Sequence, residues 1–580
     1  MTTTIRNPVL RGFHPDPSIL RVGDDYYLAV STFEWHPGVR LFHSRDLVRW
    51  RLLGSALGEK RLLDLTGVPD SGGVWAPCLS YADGVYYLAF TNVRSLAGAF
   101  KDTPNYVVTA PHPSGPWSDP VYLNSSGFDP SLFHDEDGRT WLLNMVWDHR
   151  SGRNPFHGIL LQEYSPRERR LLGEPQIIFR GTELGCTEGP HLYRKDGWYY
   201  LVIAEGGTGY AHAVTVARSR TIEGPYEPDS AGPALTSAGS PRAALQKAGH
   251  GCLVETQGGE WYLAHLCARP LRPGAECPLG RETALQRIAW ADGWPRVEGG
   301  PEPSASVAGP ALEPHPWPEP ELPELDGFDA GKLHAGYSTL REPADASWLS
   351  LSERPGWLRL RGRESLQSHH RTSLVARRLT ELEAQAETWL EFSPRHFQQL
   401  AGLVLYYNSK NHYYLRVSRD EERGLGVNVL AVADGRYREL LEQDVPIPEE
   451  GPVGLRADIR GGQVQFQIRL PEEGADDGAA WAAGDGELGE AGKRPARKTP
   501  DGESGKPGDG PGREAAWTPV GEALPLAQLS DERATREEGG FFTDWGFTGT
   551  FVGVCVQDLS GAGRTADFAS LRLSVRDATA

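Results

Sequence analysis

Sulfur is scarce in this chain, which has six cysteines and two methionines among 580 residues. Cys78, Cys186, Cys252, Cys267, Cys277 and Cys555 form no CxxC and no zinc-ligand spacing, so neither a thiolate metal site nor a dithiol redox motif is written in the sequence. Cys78 and Cys252 fall in apolar, strand-like runs and are expected to be buried free thiols. Runs of ~18 apolar residues are missing, and the start "MTTTIRNPVLRGF" has no apolar core of signal-peptide length. A cytoplasmic protein without a membrane partner is expected. Basic residues are outnumbered, 59 against 77 acidic, for a formal charge of -18. A surface that acidic repels phosphate backbones, so no nucleic acid partner is expected and a neutral or cationic one is favoured.

What the chain has in abundance is Gly (68), Pro (45) and aromatics (17 Trp, 20 Tyr, 18 Phe). That composition suits an all-β protein with many turns and large cores, and the length calls for two or more domains. Five segments share one pattern of a small or acidic residue, an apolar stretch, a polar turn and an aromatic stretch. They are "DPSILRVGDDYYLAVSTFEW", "APCLSYADGVYYLAFTNV", "DPSLFHDEDGRTWLLNMVW", "GPHLYRKDGWYYLVIAEGG" and "GCLVETQGGEWYLAHLCA", beginning at residues 16, 76, 129, 189 and 251. Each reads as a hairpin with "GDD", "ADG", "EDG", "KDG" or "GG" at its tip. Each repeat unit has chain enough for two more strands. Five four-stranded units predict a five-bladed β-propeller over residues 1–300.

Aligning the repeats puts Pro15/Asp16, Trp75/Ala76, Phe128/Asp129, Glu188/Gly189 and His250/Gly251 at equivalent places, where each hairpin's first strand begins. First strands line a propeller's channel, so Asp16, Asp129 and Glu188 should meet at one mouth, with Trp75, Phe128 and His250 between them. Pro17, Pro130 and Pro190 stiffen the backbone that aims them. Taken alone, an Asp before Pro is ordinarily a turn residue. Three acids at matched positions point instead to acid–base chemistry. Glycosidic hydrolysis needs one carboxylic acid to protonate the departing oxygen and one carboxylate on the other side of the sugar. A third acid nearby can keep the first protonated, because like charges resist a second ionisation. Phe33, Trp75 and Trp147 suit a sugar's apolar face. His250 reads equally as a satisfied channel histidine or as a ligand for water or a cation.

The stretches "NPVLRGFHPDPSILRVGDDYYLAVSTFEW", "GGVWAPCLSY", "FDPSLF", "CTEGPHLY" and "CPLGRETALQRIAWADGWP" resemble the β-xylosidases of glycoside hydrolase family 43, and the likeness covers essentially the whole chain. The resemblance implies an inverting, single-displacement mechanism with Asp16 as general base, Glu188 as general acid and Asp129 tuning and orienting the acid. It implies Arg281 on sugar hydroxyls in the deepest subsite, with Phe33, Trp75, Trp147 and His250 shaping the pocket. The implied substrates are short β-1,4-xylo-oligosaccharides cut from the non-reducing end, with side activity on α-L-arabinofuranosides. Dominant arabinofuranosidase activity is a close alternative. A non-catalytic sugar-binding propeller is another, though a lectin needs no proton donor. No cofactor is implied as required. Some members hold calcium in the channel, and His250 by itself does not disclose such a site. Members commonly form dimers or tetramers, so a homo-oligomer is expected.

Proline density marks 301–328 as a linker along the surface. Beyond it, alternating stretches such as "VQFQIRL" predict a β-sandwich over 329–580, which the resemblance makes concanavalin-like. This domain reads either as a carbohydrate-binding module or brace, or as a lid in which "DWGFTGTFVG" carries Phe547 over the propeller mouth. The family pattern supports the lid. Residues 471–516 are rich in Gly, Pro and charge, interrupt what should be a short hairpin between "VQFQIRL" and "WTPVG", and are expected to stay disordered.

Overall fold

The computed structural model describes residues 3–317, 322–471, 516–538 and 541–576. Five antiparallel sheets follow one another along the first half, four of them with four strands and one with a short fifth, each with its four main strands in chain order. Blade I is Ser18–Val22, Asp25–Val30, Gly38–Ser44 and Arg51–Leu57, and blade II is Gly73–Ala82, Val85–Val93, Asn105–Ala110 and Val121–Tyr122. Blade III is Ser131–His134, Thr140–Trp147, Phe156–Ser165 and Arg170–Phe179. Blade IV is Glu188–Lys195, Trp198–Glu205, Ala213–Ser219 and Glu227–Pro228, with Leu235–Thr236 also pairing to its third strand. Blade V is Gln246–Glu255, Trp261–Ala268, Glu282–Ala291 and Trp294–Val297. The five first strands touch their neighbours in a closed ring. Each expected hairpin tip is a turn. "ADG" and "KDG" put Asp83, Gly84, Asp196 and Gly197 at positive φ, the twist a two-residue hairpin loop needs.

The apolar cores lie radially between blades. Leu41, Leu88 and Phe90 pack between blades I and II, Val202, Val214 and Leu263 between IV and V, and Tyr26, Leu28 and Tyr262 between V and I. The ends of the propeller are tied together where Thr4–Arg6 pairs with Ser306–Ala308 and Leu10 bridges Thr283 of blade V.

The second half folds as two nine-stranded sheets facing each other across a core that includes Leu403, Leu415, Leu455, Phe466 and Phe568. One sheet contains a propeller segment: Trp35–His36, between the second and third strands of blade I, pairs with Ser338–Leu340. Trp35 is fully buried and stacks on Phe551 at 3.7 Å. The stretch expected as linker is partly absorbed by the domains on either side. Ser306–Ala308 belongs to the propeller clasp, Trp317 packs under Arg51 at 4.0 Å, and Leu325–Asp326 pairs with Thr565–Val575, so the sandwich begins ahead of residue 329. Strands Gln463–Arg469 and Thr518–Pro519 pair as the interrupted hairpin, with Ile468 opposite Thr518. The insertion between them, expected to be disordered, lies outside the described residues apart from its first and last positions.

Candidate active site

The ring of first strands carries one recurring irregularity. Asp16, Ala76, Asp129, Gly189 and His250 all have positive φ, at 54°, 33°, 59°, 58° and 47°. Ladder register shifts at this point in blades II, IV and V, so the strand bulges and the side chains are re-aimed towards the mouth. Asp tolerates the left-handed conformation better than most residues. Gly189 has no alternative, because a Cβ there would sit 2.9 Å from His250 Cε1. These angles correct the alignment in blade V. The equivalent of Pro15/Asp16 is Gly249/His250, one residue earlier than His250/Gly251. The extra residue is absorbed by a double register shift around Gly249 that the repeat pattern does not reveal. Asp16 and Asp129 therefore share the kinked position, and Glu188 sits one residue before it, opposite Ala204.

Neighbouring blades are stitched at the same level. Ser31 Oγ donates to Asp16 Oδ2 at 2.7 Å and accepts from the Ala76 amide at 2.7 Å. Thr91 Oγ1 accepts from the Asp129 amide at 3.3 Å. The residue that matches them in blade III is Met145, which has no hydroxyl, and the Asp129 carboxylate itself accepts from the Gly189 amide at 3.0 Å. Asp129 thus orients the backbone that carries Glu188.

All nine sequence-derived site residues line one cavity of about 730 Å³: Asp16, Phe33, Trp75, Asp129, Trp147, Glu188, His250, Arg281 and Phe547. Burial resists ionisation of Asp16, but Arg281, His250, the Ser31 hydroxyl and His212 outweigh it and hold the carboxyl below its usual range. Arg281 Nη1 reaches Asp16 Oδ1 at 3.2 Å and Thr208 Oγ1 at 3.0 Å, and Nη2 donates to the Phe547 carbonyl at 3.0 Å. Glu188 is driven the other way. Burial, then the charges of Asp129 and Asp16, lift it well above the usual carboxylate range against the pull of Arg281. Burial and Asp16 also raise Asp129, opposed by the Gly189 amide and Arg281. One carboxyl shifted down and another shifted up in the same hollow is the pairing that a base and an acid need. Burial and Arg281 lower the pKa of His250, against the pull of Asp16. His250 offers nitrogen where calcium takes oxygen ligands, and among the described residues no group of three or more His, Cys, Asp or Glu is gathered to hold a metal ion.

The apolar wall is continuous across both domains. Trp75 meets Phe128 at 5.3 Å and Phe547 at 5.6 Å, both edge-on, and Phe33 lies 5.9 Å from Trp75. Phe547 reaches the mouth on a tight crossing. A Cβ on Gly280 would lie 2.1 Å from the Thr548 carbonyl, and one on Gly549 would lie 2.5 Å from the Leu279 carbonyl. Several lining residues had no signal in the repeat pattern. Lys101 lies over Trp147 at 4.2 Å and Trp545 at 4.8 Å, with its pKa lowered to about 8 by burial. Lys247 pairs with Glu532 at 2.5 Å and Asp531 at 3.4 Å, both from the second domain. Trp545, part of "DWGFTGTFVG", is a half-buried lining residue 4.9 Å from Phe547.

A propeller that gathers a carboxyl of lowered pKa and one of raised pKa in an aromatic pocket has the make-up of a carboxylate-dependent glycosidase. The chain belongs to glycosyl hydrolases family 43, whose profile matches residues 5–295, and the beta xylosidase C-terminal concanavalin A-like domain matches 325–486 and 512–574. It is 44% identical to a beta-xylosidase of Bacillus subtilis over 98% of this chain and 99% of that one. It is equally identical, 44%, to a xylan 1,3-beta-xylosidase of a Vibrio species over 98% of each chain. The crystal structure of xylan beta-1,4-xylosidase from Bacillus halodurans superposes with a TM-score of 0.88 at 51% identity, covering 98% of this chain and all of that one. A non-reducing end alpha-L-arabinofuranosidase of Bacteroides ovatus is 38% identical over 72% of this chain and 76% of its own.

Proposed function

We propose that this glycosidase removes single xylose units from the non-reducing end of short β-1,4-xylo-oligosaccharides by one inverting displacement, with weaker action on α-L-arabinofuranosides. The observation that carries the reading is the opposite bias of two cavity carboxyls, Asp16 down and Glu188 up. Asp16 takes a proton from a water as its oxygen attacks the anomeric carbon. Glu188 gives its proton to the departing glycosidic oxygen as that C–O bond breaks, and solvent restores both protonation states. Inversion requires about 6.5–9.5 Å between base and acid to admit the water. Arg281 holds Asp16 ionised and offers its guanidinium to sugar hydroxyls. Phe33, Trp75 and Phe547 enclose the terminal sugar, while Trp147 and Lys101 face the leaving sugar. A mouth narrowed by the second domain supports cutting from a chain end.

The Bacillus halodurans neighbour supports the 1,4 linkage and the Vibrio relative a 1,3 linkage, with the higher identity on the side of the first. The reading is tested by following products from β-1,4-xylotriose and β-1,3-xylobiose with time. Xylose and xylobiose should appear together from xylotriose, faster than xylose from the 1,3 dimer. Faster turnover of the 1,3 dimer would reassign the linkage. Six unpaired cysteines, five of them buried, support a reducing compartment in which imported oligosaccharides are finished.

A further inference from the structure

Ser71, in the connection leading into blade II, is fully buried and has φ of +60°. Nothing about the backbone favours serine there, since left-handed φ is the preference of glycine or asparagine. What serine adds is a hydroxyl, and that hydroxyl is used twice by the other domain. Ser71 Oγ donates to the Trp545 carbonyl at 2.9 Å and accepts from the Phe547 amide at 3.1 Å. The Ser71 carbonyl meanwhile accepts from Trp75 Nε1 at 2.9 Å. One residue therefore fixes both aromatic rings that meet edge-on at 5.6 Å over the pocket, Trp75 from the propeller and Phe547 from the sandwich. The rest of the second-domain segment is held independently, by Thr535 Oγ1 on the Gly546 amide and by Arg281 on the Phe547 carbonyl. Ser71 is the contact that aligns the segment with Trp75.

We propose that Ser71 is a positioning residue that sets how tightly the terminal sugar is enclosed. It touches neither Asp16 nor Glu188, so it acts on sugar affinity and leaves proton transfer alone. This rests on the reading of the pocket as a terminal-sugar subsite.

The test compares Ser71→Ala with Ser71→Gly, the second retaining backbone that is comfortable at φ +60°. Both should raise KM for xylobiose and the inhibition constant for xylose about tenfold, as expected for losing one or two buried hydrogen bonds. The pH limbs of kcat should stay where they are, and amide exchange at Phe547 should quicken. A lower melting temperature with unchanged KM, xylose inhibition and Phe547 exchange in the folded protein would make Ser71 merely structural and overturn the proposal. A wild-type enzyme inactive on xylobiose would refute the functional reading instead. The exchange rate at Phe547 and the titration of tryptophan fluorescence with xylose would still decide the role of Ser71, unchanged values in the variants overturning it.

Discussion

Three carboxyls around one hollow, Asp16 and Asp129 buried and Glu188 half-buried, resist carrying charge together, and the positions of Arg281 and of the Gly189 amide decide how the charge is shared. Arg281 pulls the Asp16 carboxyl below its usual range, while burial and the neighbouring carboxyls lift that of Glu188. Replacing Glu188 with Gln removes the proton donor at nearly constant shape. Turnover of xylobiose should fall by ~10²–10⁴, the usual contribution of a general acid, while xylobiose binding measured by calorimetry is retained. Turnover that survives would remove Glu188 from its role. The pH profile follows from the same charges. The proposed mechanism needs Asp16 ionised and Glu188 protonated, so the acid limb should report the lowered group and the alkaline limb the raised one. Asp129→Asn deletes a carboxyl that competes with Glu188 for charge in the same hollow, yet still offers an oxygen to the Gly189 amide. The Glu188 pKa should drop, and the alkaline limb of kcat/KM should move to lower pH. A limb that stays put would show that Asp129 does not tune the acid.

At the scale of strands and loops, what could be read from the sequence is what repeats locally. All five inner hairpins were legible because each carries its own turn residues and its own alternation. The blade V register was not, because the bulge at Gly249–His250 adds a residue that no pattern marks. The site residues on the repeats were legible for the same reason as the hairpins. Lys101, Asp531 and Glu532 were not, since they reach the cavity from a loop or from the other domain, and such meetings depend on distant packing; Lys247 lies on the first strand of blade V, just ahead of the bulge at Gly249, where the repeat pattern is out of register. The crossing of Gly280 and Gly549 is one of these. Gly549→Ala should push a methyl against the Leu279 carbonyl and lower stability by about 1–3 kcal/mol, with a higher KM because Phe547 shifts. Thermal melts and xylobiose kinetics check both. Ile468 and Thr518 already face each other across the hairpin, so joining its strands by a short turn in place of residues 471–516 should leave folding and turnover intact. A lost fold would mean that the insertion has a structural role.

As a whole molecule the protein is a propeller and a sandwich that share a sheet. Trp35–His36 extends the second domain's ladder, and Arg378 Nε donates to the Phe13 carbonyl across the seam at 2.6 Å. Two halves joined this way should unfold together in one calorimetric transition, with two resolved transitions the contrary result. At the same seam Glu34 is fully buried, and burial pushes its carboxyl up to about 8, with Asp70 adding to the rise and Arg341 opposing it. The folded chain then holds a proton that the unfolded chain has shed between pH 4.5 and about 8, so stability should decline as pH rises through that window. Glu34→Gln should flatten the decline in melts from pH 5 to 8, and an identical slope would show that Glu34 does not titrate there. In the proposed reaction a water held by Asp16 strikes one face of the sugar while Glu188 protonates the other side. The most direct measurement is the anomeric proton spectrum of the first xylose released from xylobiose, recorded before mutarotation. α-Xylose is the expected first product. β-Xylose would contradict a single displacement between these two carboxyls.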